Sequence, residues 1–101
     1  MSRVRIELPR DRIADFCQRH HIQRLALFGS VLRDDFTPAS DIDVLIDFEP
    51  ECRYTYFTLA RLETELSELL GRRVDLHTSR GLHPFLRDKV LRQAEAVYDG
   101  A

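Results

Sequence analysis

The chain is predicted to fold as one α/β domain, a small mixed β-sheet with helices packed on one side. Three observations predict it. Short apolar runs of strand character alternate with stretches of helical periodicity, in the order α-β-α-β-α-β-α. Proline and glycine stand at the joints, at Pro9, Pro50, Gly71 and Pro84. The 101 residues, with no visible repeat, linker or low-complexity tract, suffice for one core over 1–101 and leave little room for a second domain.

Pro9 can open the first helix, where Ile13, Phe16, Cys17 and His20 recur at three- and four-residue steps over about 10–20. A strand follows from Ile22 to Phe28, then a short helix or turn from Ser30 and a loop marked by Thr37-Pro38-Ala39. The second strand runs from Asp41 to Phe48. From about Tyr54 to Leu70 the positions Phe57/Leu59, Leu62, Leu66, Leu69 and Leu70 form a helical stripe, and Gly71 is the expected C-cap. Arg72 to Thr78 reads as a third strand. Pro84 then opens a last helix, with Leu86, Val90, Leu91, Ala94, Val97 and Tyr98 expected on its buried side.

Charge and cysteine use exclude several classes. A net charge of −2 argues against a general nucleic-acid binder, which would carry a basic stripe. Neither Cys17 nor Cys52 belongs to a closely spaced Cys/His set, so reduced thiols in a cytoplasmic protein are expected. No apolar run of about 20 residues and no basic-then-apolar leader is present, which leaves membrane insertion and secretion unsupported.

The chemistry concentrates in Leu27-Phe28-Gly29-Ser30-Val31-Leu32-Arg33 and Ser40-Asp41-Ile42-Asp43-Val44-Leu45-Ile46. Strand alternation points Asp41 and Asp43 to one face, with backbones about 7 Å apart, and Ile42, Val44 and Ile46 to the other. An isolated pair of this kind reads first as a solvated surface strand. At the head of an apolar strand, however, two like charges call for a cation. Asp75 lies on the third strand opposite in face to Val74 and Leu76, and completes a three-carboxylate cluster if the strands are neighbours. Gly29 permits a tight strand exit and a close backbone approach, and Ser30 adds a hydroxyl and an N–H suited to phosphate oxygens. The same two letters also describe an ordinary strand-to-helix turn with Ser30 as N-cap. It is the combination that points to a nucleotide and metal site.

Hard oxygen ligands select Mg2+ or Mn2+, and two such ions would stand about 3.5–4 Å apart. Arg33 either clamps a phosphate or pairs with Asp34 or Asp35. Asp47 shares the face of Asp43 but lies about 14 Å along the strand, too far to reach the same ion. His20, His21, His77 and His83 lack metal-ligand spacing and are read as caps or surface groups, and Tyr54, Tyr56 and Tyr98 as packing or loop residues.

Gly29-Ser30 followed at a loop's distance by Ser40-Asp41-Ile42-Asp43 resembles the signature of the polymerase-beta-type nucleotidyltransferase superfamily. The short chain narrows the resemblance to the minimal nucleotidyltransferases, over roughly Ile22 to His77. Where many relatives carry Ala-Arg-Gly after Gly-Ser-x, this chain has Leu32-Arg33-Asp34, which keeps the arginine and changes the following loop. The resemblance implies a palm-like core with a partly open catalytic face. It further implies metal binding by Asp41, Asp43 and Asp75 and cradling of the β- and γ-phosphates by Gly29 and Ser30.

Members of this kind pair with a HEPN-type ribonuclease toxin, so the resemblance implies an antitoxin moving AMP from ATP to a tyrosine hydroxyl of that partner. Two alternatives stand beside it: a nucleotidyltransferase acting on an aminoglycoside or RNA, and a non-catalytic subunit that neutralises its partner by contact. A purely structural homo-oligomer leaves the aspartates unexplained.

Overall fold

A computed structural model describes residues 8–32, 37 and 40–100. The elements run in the order helix α1 (Arg10–Arg19), strand β1 (Ile22–Phe28), a 3-10 turn (Gly29–Leu32), strand β2 (Ile42–Phe48), helix α2 (Tyr56–Leu70), strand β3 (Val74–Thr78), helix α3 (Pro84–Gln93) and strand β4 (Glu95–Asp99). The four strands form one mixed sheet in the order β3-β2-β1-β4. β1 is antiparallel to both β2 and β4, while β2 and β3 run parallel. This is the α/β architecture expected.

One face of the sheet carries Leu25, Leu27, Ile42, Val44, Ile46 and Val74 into a core closed by Ile13, Phe16 and Cys17 of α1 and Leu62 and Leu66 of α2. Each fully buried leucine or isoleucine contributes about 1.5–3 kcal/mol relative to its exposed state. Val31 is also fully buried, and anchors the 3-10 turn to the same core. α2 starts on a reciprocal cap between Thr55 and Thr58 and ends at Gly71 in the left-handed conformation (φ 68°), as the glycine's position foretold. Where the two helices meet, Arg19 bridges Asp15 (2.9 Å) and Glu65 (3.1 Å).

Two expectations are corrected. The last segment is not one helix: α3 stops at Gln93, Ala94 is extended (ψ 140°), and Glu95–Asp99 pairs with β1. β1 is buried along its centre, so backbone groups on its second edge need partners. A strand with Val97 and Tyr98 supplies them where a continued helix cannot. None of α3's residues is buried, and Leu86 is 52% exposed. Phe57, placed on the buried stripe of α2 by periodicity, is 87% exposed, because the first turn of α2 does not share in the core that begins at Leu59 and Leu62.

Burial pushes the Cys17 thiol up to about 12 from an ordinary 9.0, whereas Cys52 is half-buried. At pH 8 a thiol reagent is therefore expected to label Cys52 alone in the native protein and both cysteines in denaturant. Peptide mapping of the labelled chain checks this, and native labelling of Cys17 would contradict the packing of α1. Among the described residues no helix is long and apolar enough to cross a membrane.

Candidate active site

The parallel pairing of β2 with β3 sets Asp43 directly beside Asp75. Each is the second residue of its strand, and each points away from the helical core, since its neighbours Ile42, Val44 and Val74 point into it. Alternation along β3 returns His77 to the face of Asp75. Its Nε2 lies 3.3 Å from Asp75 Oδ2 and 3.9 Å from Asp43 Oδ1. One donor atom from each of the three side chains falls within 4.8 Å of the others. The Phe28 ring stands edge-on to the imidazole with centroids 5.4 Å apart, and so confines the ring's position. The cluster is reached from solvent: the side chains of Asp43, His77 and Asp75 are 29%, 32% and 55% exposed.

Phe28 pairs with Asp43 across β1 and β2, so the residue after Phe28 passes close to that carboxylate. That residue is Gly29, with φ 77°. A Cβ there would run into the Asp43 carboxylate, within 3.2 Å of Cγ and closer still to Oδ2. Glycine is thus required twice, by the backbone angle and by the space the carboxylate occupies.

The sequence-predicted residues are brought together unequally. Asp43 adjoins both Gly29 and Asp75. Asp41 is exposed, one residue ahead of β2, and stands outside the Asp43–Asp75–His77 group; the β2–β3 ladder begins only with the Ile42 N–H donating to the Arg73 carbonyl (3.0 Å). Arg33 lies outside the described residues, as does the side chain of Ser30. His77, expected at the surface, instead lines the cluster. The signal that could have found it is the spacing Asp75-x-His77, which strand alternation turns into a shared face.

Two carboxylates and an imidazole suit a divalent cation. With bonds of about 2.1 Å, neighbouring ligands on an octahedral ion stand about 3.0 Å apart and opposite ones about 4.2 Å. The separations of 3.3 and 3.9 Å lie about 0.3 Å from those two values, so small side-chain shifts would bring these residues onto one ion.

β3 is held in place from its outer side by α2. The Val74 N–H donates to Ser67 Oγ and the Leu76 N–H to Glu63 Oε2, each at 3.0 Å. Glu63→Ala is expected to cost about 1.5–3 kcal/mol, the worth of a hydrogen bond to a charged acceptor. Thermal denaturation reads the loss, and amide exchange at Leu76 should quicken. Unchanged exchange there would refute the clamp.

Comparison with known proteins places these features. A family model for the nucleotidyltransferase domain matches residues 10–97. A Methanocaldococcus jannaschii protein, provisionally named a protein adenylyltransferase, is 36% identical over 86 residues, covering 85% of this chain and 90% of its own. A solved structure provisionally described as a minimal nucleotidyltransferase superposes with a TM-score of 0.71 at 43% identity, covering 85% of this chain and 86% of that one. A complex of a tri-AMPylated Shewanella oneidensis HEPN toxin with an MNT antitoxin shares the fold, with a TM-score of 0.66 at 22% identity over 89% of this chain and 69% of the matched one.

Proposed function

The chain belongs to the nucleotidyltransferase domain family, and from that premise we propose that it transfers AMP from ATP to a hydroxyl of a partner protein, a HEPN-type toxin that it silences as antitoxin. The observation that carries this reading is the juxtaposition of Asp43 and Asp75 beside the backbone of Gly29, a metal-holding pair next to a close-approach turn. The provisional name of the Methanocaldococcus relative and the tri-AMPylated toxin in the Shewanella complex support protein as the acceptor.

Asp43 and Asp75 are assigned to hold Mg2+, with Mn2+ as a substitute, and Asp41, outside the cluster at the head of β2, would share with Asp43 in holding a second such ion. Gly29 and Ser30 cradle the triphosphate, and Arg33 contacts a phosphate. A bound divalent ion supplies charge neutralisation of the triphosphate and acidifies the attacking hydroxyl. Gly29 lets the chain pass close to the phosphates where a side chain would stand in the way. Asp75 takes the hydroxyl proton in this reading, which its being the most exposed of the cluster supports. The acceptor oxygen forms its bond to the α-phosphorus, the bond from that phosphorus to the bridging oxygen breaks, and pyrophosphate leaves.

Intact-mass analysis of the HEPN-type protein, incubated with this chain, ATP and Mg2+, tests the proposal. AMP-sized gains with the wild type and none with Asp43→Asn are expected. A stable, neutralised complex without any gain would replace transfer by binding alone.

A further inference from the structure

The Asp43–Asp75 pair is flanked by an imidazole that an all-oxygen magnesium site does not need. We propose that His77 is a nitrogen ligand of the cation held by Asp43 and Asp75, and that it turns the metal preference of this centre from Mg2+ toward Mn2+ and other nitrogen-accepting ions. The inference rests on the reading of this cluster as the metal centre.

Three observations carry it. His77 Nε2 stands 3.3 Å from one carboxylate and 3.9 Å from the other, separations close to those that ligands of one ion adopt. The imidazole is not free to leave, because its backbone is paired within the sheet beside Leu45 and its ring abuts Phe28. And the third donor atom gathered with Asp43 and Asp75 is this nitrogen, while the Asp41 carboxylate stays outside the group. A nitrogen donor matters chemically. Mg2+ prefers carboxylate, carbonyl and water oxygens and gives up its waters reluctantly; imidazole suits the later divalent ions, and Mn2+, though also at home among oxygens, begins the series along which affinity for nitrogen donors rises.

The experiment uses the full chain without a histidine tag. Mn2+ is titrated in and followed by electron paramagnetic resonance, with spin-echo modulation reporting directly bound nitrogen; Mg2+ and Mn2+ affinities are measured by calorimetry. Wild type is expected to show imidazole nitrogen modulation, and His77→Gln to lose it. His77→Gln should also bind Mn2+ at least about tenfold more weakly, the scale on which metal sites respond to lost supporting groups, with a much smaller change for Mg2+.

His77→Asp, which offers oxygen in the same place, should lower the Mn2+-to-Mg2+ affinity ratio. Bound Mn2+ without nitrogen modulation, or a ratio unaltered in both variants, overturns the proposal while leaving the carboxylate site standing. If Asp43→Asn binds Mn2+ as tightly as wild type, the centre lies elsewhere and both readings fall. Circular dichroism of each variant separates lost ligation from lost fold.

Discussion

Asp43→Asn is expected to reduce nucleotidyl transfer by roughly 10³-fold or more, the scale of losing one preorganised electrostatic group at a reacting phosphate, while Asp47→Asn changes it by less than about twofold. Both residues lie on β2 and both project from the face opposite the core. Asp43 adjoins Asp75, His77 and Gly29. Asp47 lies four residues on, about 14 Å away by the strand repeat, as the cross-strand partner of Arg24. There it lines a separate cavity of about 100 Å³ with Glu49, Tyr54 and Arg80. Single-turnover assays of the two variants side by side isolate position from charge, since each removes one carboxylate from one strand face. Equal losses would mean that the reacting phosphate does not sit at the head of the parallel pair.

Gly29→Ala is the second large effect, and a matched control exists within the chain. Gly29 and Gly71 both have positive φ, 77° and 68°. Alanine in that region costs about 1–2 kcal/mol at either site, or roughly 5–15 °C in Tm for a domain of this size. Their surroundings differ. A Cβ at Gly71 meets nothing within 4 Å, whereas one at Gly29 collides with the Asp43 carboxylate. Gly71→Ala should therefore lower Tm and leave turnover intact. Gly29→Ala should lower Tm at least as much and also lower activity by roughly 100-fold, because the carboxylate must swing out of the cluster. Full activity in a folded Gly29→Ala protein would show that the close approach has no catalytic purpose.

Local features of the chain were readable where local rules decide them. Ile22–Phe28 is apolar, bounded by a turn and a glycine, and is a strand with those ends. Gly71 follows the last leucine of a helical stripe and caps it. Asp43 and Asp75 are each flanked by apolar residues that fix which way a strand must turn, and the parallel pairing then sets them side by side.

Failures arose where a distant partner decides. Glu95–Asp99 continues a helical spacing with Ala94, Val97 and Tyr98, yet the unpaired edge of β1 draws it into the sheet. Phe57 fits the stripe of α2 but stands beyond the surface that the helix covers. His77 shares a strand face with Asp75 two residues before it, but its place beside Asp43 depends on the alignment of β2 with β3, which no short window contains. Asp41 lies one residue ahead of β2, where the ladder has not begun, so alternation alone does not fix its face.

The clamp of Ser67 and Glu63 on β3 also decides how this molecule meets others. An exposed strand rim invites a foreign strand to add to it, through the free amides that edge presents. On β3 the outward amides of Val74 and Leu76 are already taken, and the helix that takes them is rooted in the core by Leu62 and Leu66. Ribbon-like polymerisation from this rim would have to peel α2 away first. A partner that meets this rim therefore meets side chains of α2 and β3, not free strand amides.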